Sequence, residues 1–77
     1  MKKYSEPIQV RAERNRPVSL RWRQRTHQVT ALHDCWVLQT RWWEREERRC
    51  YYLLATTAGD MEVYRCGDQW VLSRLLD

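Results

Sequence analysis

The sequence predicts a mainly β domain: a single small antiparallel sheet, or a partly closed barrel, of five or six strands with a C-terminal three-stranded meander. Three observations lead there. Apolar and polar residues alternate with period two in short runs, most cleanly where Val18, Leu20 and Trp22 interleave with Ser19, Arg21 and Arg23. Breaks of two or three polar or glycine-containing residues separate the runs. The length of 77 residues, 43% of them apolar, suits one small core and leaves no room for a second. Residues 1–77 therefore form one domain, with the first few residues as a flexible start.

The first strand comes from Pro7 to Ala12, which puts Ile8, Val10 and Ala12 on one face. Arg14-Asn15-Arg16 reads as a turn, and Pro17 opens the second strand through Trp22. Gln24-Arg25-Thr26 allows a reversal, after which His27, Val29 and Ala31 continue the apolar face. From Ala31 to Thr40 the pattern is mixed. Leu32, Cys35, Trp36 and Leu38 fit helical spacing, whereas Thr30, Cys35, Trp36, Val37 and Thr40 favour strand, and a long bulged strand reconciles the two. Residues 41–49 form the most charged stretch and read as one helical turn or a wide hairpin loop. Cys50 to Thr57 gives a central strand and Ala58-Gly59-Asp60 a turn. Met61, Val63 and Arg65 then alternate with Glu62, Tyr64 and Cys66. After the Gly67-Asp68 turn, Trp70, Leu72 and Arg74 alternate with Val71, Ser73 and Leu75.

Composition narrows the function. Three cysteines, Cys35, Cys50 and Cys66, are an odd set with no CxxC pair, which fits a reducing cytoplasm better than a secreted disulfide framework. Met1-Lys2-Lys3 has no apolar segment behind it, and no apolar run approaches membrane-spanning length, so a cytoplasmic protein without membrane contact is expected. The net charge of +4 conceals an imbalance: residues 1–30 carry +6 and residues 31–77 carry −2. Twelve of the fourteen basic residues are arginine, which makes planar multidentate contacts with phosphate or carboxylate; an arginine-rich coding bias would give the same composition.

Metal and catalytic readings are weak. His33-Asp34-Cys35, with His27 upstream, offers ligand types without four convergent positions. A Cys–His pair, or carboxylates from Glu44, Glu46 and Glu47, lacks the spacing that would orient a reaction. No phosphate-cradling glycine loop is present. No catalytic residue, metal ligand or cofactor is expected, and the chain reads as a non-enzyme.

The candidate site is a nucleic-acid-binding face of Arg11, Arg21, Arg23, Arg25, Arg41, Trp42 and Trp43. Alternation puts Arg21 and Arg23 opposite Val18, Leu20 and Trp22, with Arg11 joining them from the neighbouring strand. Guanidinium groups on a sheet follow a phosphate backbone, and an exposed ring of Trp42 or Trp43 would stack a base. A solvated face whose arginines pair with nearby glutamates is the plainer alternative. Trp22, Trp36 and Trp70 lie on apolar patterns and are assigned to the core.

Leu20-Arg21-Trp22-Arg23, Trp36, Trp42-Trp43, Arg49-Cys50-Tyr51-Tyr52, Gly59, Tyr64 and Trp70 through Asp77 resemble an uncharacterised small bacterial domain family, found mainly in actinobacteria and the Deinococcus–Thermus group. That resemblance covers residues 6–77 and implies no catalytic residues. The second half also resembles the C-terminal tail of ImuB-like proteins, inactive relatives of translesion DNA polymerases, which implies a DNA-repair assembly. The expected function is thus a small module binding single- or double-stranded nucleic acid. The alternatives are a protein-interaction module docking into a larger assembly and a structural domain without a ligand.

Overall fold

The computed structural model describes residues 2–42 and 45–76. Six strands fill almost all of them: β1 (Lys2–Glu13), β2 (Arg16–Trp22), β3 (Arg25–Trp42), β4 (Arg45–Thr56), β5 (Gly59–Cys66) and β6 (Gln69–Leu76). Every strand pairs antiparallel with its neighbours in sequence, and β1 pairs with β6 to close the ring. The all-β class, the six strands and the C-terminal meander of β4, β5 and β6 agree with the sequence reading.

Two long strands bend between two sheets. The first part of β1, through Ile8, pairs with β6, and Gln9 onward pairs with β2. Likewise β3 pairs with β2 over Arg25 to Gln28 and with β4 from Val29 to Trp42. A small sheet of β1, β2 and β3 thus meets a larger one of β3, β4, β5, β6 and β1. Four of the six ladders contain register shifts, which supply the curvature needed to bring β1 round to β6. The irregular pattern between Ala31 and Thr40 has this origin. Two shifts, between Val29 and Ala31 and between Leu32 and Asp34, reset which face of β3 points inward.

The tight turns follow from local chemistry. Arg14-Asn15 and Arg23-Gln24 have φ of 52° and 64°, and 52° and 66°, the paired left-handed geometry of type I′ hairpin turns. Gly67 has φ of 61° with Asp68 after it, as in a type II′ turn. Gly59, at φ 108°, follows the Thr57-Ala58 turn and opens β5. The Thr56 hydroxyl fixes that turn by donating to the Gly59 carbonyl (2.7 Å) and accepting from the Ala58 amide (3.1 Å).

The core consists of Ile8, Leu20, Leu54, Met61, Val63 and Leu72, with Tyr4, Val10, Trp22, Val29, Leu32, Tyr52, Trp70 and Leu75 packed around it. Ladder register explains the set. Tyr52, Val63 and Leu72 make one inward row across β4, β5 and β6, and Leu32, Leu54, Met61 and Leu75 make the next. A shift between Glu62 and Val63 against β6 accounts for Leu72 and Leu75 both facing the core, three residues apart.

Several expectations need correction. β1 begins at Lys2, five residues before the expected Pro7. Residues 41–42 and 45–49 are neither a helical turn nor a wide loop: they continue β3 and begin β4 as a two-stranded ribbon, with Arg41 opposite Glu46. β5 pairs with β4 only from Cys50 onward, so this ribbon projects past the rest of the sheet. Trp36 is exposed on the outer face, not in the core, because its row contains Tyr51, Tyr64 and Val71. Trp22 and Trp70 do pack against the core. Among the described residues, no helix is long and apolar enough to cross a membrane.

Candidate nucleic-acid interface

The seven predicted site residues separate into groups. Arg11 and Arg21 lie on the outer face of the small sheet: Gln9 pairs with Arg21, Arg11 with Ser19, and Arg21 with Thr26. The direct partners on this face, Gln9, Ser19 and Thr26, are uncharged, and both arginines are exposed. Arg21 also lines a shallow cleft with Pro7, Ile8 and Gln9, where β1 leaves β6 for β2.

Arg23 does not share that face. It occupies the first position of the β2–β3 turn, and its positive φ breaks the alternation that would have aligned it with Arg21. Its guanidinium lies 4.6 Å from the Trp22 ring centre and 5.4 Å from that of Tyr4. Nη2 donates to Glu6 Oε1 at 3.3 Å, and the Trp22 indole N–H donates to the other Glu6 oxygen. The two rings meet edge to face at 5.5 Å. Arg25, exposed, begins β3 opposite Trp22.

The Trp22 hydrogen bond, joined by Arg23, holds the Glu6 carboxyl below its ordinary range although burial pushes the other way. A lowered folded-state value means that this contact stabilises the fold above the unfolded glutamate value, about pH 4.3, and is lost as pH falls through the lowered one. Urea midpoints measured against pH should therefore fall on acidification below that point. In Glu6→Gln the same curve should be flatter; an identical slope would remove Glu6 from the account.

Arg41 belongs to another part of the molecule. It lies sixteen residues beyond Arg25 on the same strand, near the ribbon end, and donates through Nε and Nη2 to Glu46 Oε1 at 3.1 and 2.9 Å. Trp42 pairs with Arg45 in the backbone. The ring of Trp42 and the whole of Trp43 and Glu44 lie outside the described residues. The structure thus places Arg11 and Arg21 on the outer face of the small sheet, Arg23 in its β2–β3 turn and Arg25 in the Trp22 row at that end, and separates Arg41 and Trp42 from them.

Two further arginines complete the basic sheet. Arg14 is the first residue of the β1–β2 turn and Arg16 the first of β2. Both type I′ turns thus start with an arginine in the left-handed region, a conformation costing a non-glycine residue roughly 1 kcal/mol or more. Across residues 9–28 six arginines stand against Glu13 alone, a net charge of +5 in a chain whose total is +4. Arg11 pairs with Glu13 at 3.0 Å, but both side chains are largely exposed and the pair is easily exchanged. Among the described residues, Arg14, Arg16, Arg21 and Arg25 form no ion pair.

The rings gather elsewhere. On the outer face of the large sheet, Trp36 stacks flat on Tyr51 (5.4 Å, 1°), and Tyr51 meets Tyr64 at 5.1 Å. Arg49 lies 4.6 Å from the Tyr64 ring centre and donates to the Tyr51 hydroxyl and to Glu47. Glu47 also accepts the Cys66 S–H, and this contact with some burial pushes the Cys66 thiol up. Sequence reasoning missed the ladder. The β3–β4 register, in which paired residue numbers add to a constant about the 43–44 connection, would have shown Trp36 opposite Tyr51.

Among the described residues, no three His, Cys, Asp or Glu side chains converge as a metal site. His33 instead faces Asp60 at 3.4 Å. No protein family, curated protein or solved structure matches the chain.

Proposed function

We propose that this protein is a non-enzymatic binding module that holds the phosphate backbone of a nucleic acid against its small sheet. The charge on residues 9–28 carries the reading: among the described residues, four arginines without an ion pair and two weakly paired ones lie on β2, on the adjoining parts of β1 and β3, and in the turns between them. β2 has seven residues and spans roughly 20 Å at about 3.3 Å each, close to the axial length of six base pairs. Phosphate contact, not base stacking, fits this sheet. Its tryptophan, Trp22, packs edge to face on Tyr4 from the neighbouring part of β1 and lies under Arg23. The likeness of the second half to ImuB-like tails suggests DNA repair as the setting.

Backbone neutralisation releases counterions, so affinity should fall steeply with salt and depend little on sequence. Fluorescence anisotropy of labelled single- and double-stranded DNA and of RNA, titrated across salt concentrations, tests this. Replacing Arg21 and Arg25 together by Ala should weaken binding uniformly and lower the log–log salt slope by about 1 for each phosphate contact removed. Arg41→Ala, distant and paired with Glu46, should leave that slope unchanged. No binding at low salt, or a double variant indistinguishable from wild type, overturns the proposal.

A further inference from the structure

We propose that the open edge of β3 is the contact surface for a second copy of this chain, joining two molecules by antiparallel β3–β3 pairing about a two-fold axis at Val37. Beyond Gln28, β2 no longer covers β3, and residues 29–42 are paired on the β4 side alone. The backbone shows which groups are left over. The Cys35 amide donates not across the ladder but to its neighbour's Asp34 carboxylate, at 2.8 Å. Orientation repeats every second residue in an antiparallel strand, so the N–H and C=O of Val37 and Gln39 point out of the same edge.

The side chains on this edge are what a protected edge lacks. Trp36, Val37 and Leu38, 37%, 50% and 45% exposed, are consecutive and are the exposed large hydrophobics among the described residues. From Cys35 to Thr40 there is no charge and no proline, the usual devices that stop an edge from pairing. This is an uncharged run in a chain that is 31% charged.

A second copy fits for two reasons. With Val37 opposite its own counterpart, Trp36 of each molecule faces Leu38 of the other. These fall at positions not bonded across the strands, where paired side chains are closest. The same register forms backbone bonds between the two Val37 residues and from Gln39 N–H to the partner's Cys35 C=O. Asp34 keeps the Cys35 amide and so ends the paired segment. The second reason is charge. Two chains of net +4 repel each other, and the β3 edge is uncharged from Cys35 to Thr40. Val37 is also nine residues beyond the last β2-paired residue, up to about 30 Å along the strand from the basic sheet. Such an isologous contact closes after two copies.

Sedimentation equilibrium on nuclease-treated full-length protein, over a wide concentration range, tests the proposal. Wild type should move from the monomer mass to twice that mass and no further. Val37→Lys, at a half-exposed position outside the core, should stay at the monomer mass with an unchanged circular dichroism spectrum. Amide exchange at Val37 and Gln39 should slow as wild-type concentration rises. A wild type that is monomeric throughout overturns the proposal. So does a dimer that Val37→Lys leaves intact, association that continues beyond two copies, or exchange at these amides that ignores concentration. The Arg21→Ala, Arg25→Ala variant should dimerise like wild type, which separates this contact from nucleic-acid binding.

Discussion

Leu54→Ala is expected to destabilise the protein by about 3 kcal/mol, within the range for leucine truncation at sites that cannot collapse. Leu54 is fully buried on β4, with Leu32 and Met61 as its partners on either side. Those neighbours belong to ladders that close a ring, so the walls have little freedom to move inward and fill the void. For a chain of 77 residues the whole stability is on the order of 4–12 kcal/mol, and the loss is a large fraction of it. Urea denaturation should show a much lower midpoint with an unchanged m-value. Leu38→Ala, at an exposed site on the ribbon, should stay within about 0.5 kcal/mol of wild type at concentrations where the protein is monomeric. Equal effects at the two sites would contradict the placement of the core.

The second large effect concerns a charge. Glu62 is only 5% exposed although its row on β5 faces outward, and its Oε1 accepts from Arg74 Nη2 at 2.9 Å. Arg74 covers the carboxylate from β6, directly across the ladder. Arg74→Met leaves a buried, uncompensated carboxylate and should cost about 2–3 kcal/mol, somewhat under a fully enclosed pair because the arginine is about a third exposed. Glu62→Gln should cost less, about 1 kcal/mol, since the amide keeps an acceptor oxygen for Arg74, whose side chain is about a third exposed. Adding Glu62→Leu to Arg74→Met should recover much of the loss, because the desolvated charge is then gone. Chemical denaturation of the three variants measures this. Purely additive losses would show that the two side chains do not depend on each other.

The regular strands were legible in the sequence, and the places where strands change partners were not. Alternation from Val18 to Trp22 placed Leu20 in the core correctly, because β2 is short and its ladder with β3 has no shift. In β6 the same rule fails after Leu72, where a register shift brings Leu75 inward and Arg74 out. The ribbon went unrecognised for a different reason. Residues 41–49 are so charged that they resemble a loop, but a two-stranded ribbon that stands outside the core needs no apolar face. Once that ribbon was missed, the register that places Trp36 outside was lost with it. The basic site was legible as composition. Its division was not, because the turn at Arg23 depends on a backbone conformation that residue type alone does not fix.

The ring is closed by the pairing of β1 with β6, with Lys2 opposite Leu75. Closing that 73-residue span first would cost roughly 2.5 kcal/mol more loop entropy than closing a hairpin, at about 0.6 kcal/mol for each doubling. The five hairpin ladders are the cheaper ones to form early. Until β6 is in place the first half of β1, with Tyr4 and Ile8, has no lateral partner, so the pairing of residues 2–8 waits on strand residues more than sixty positions downstream.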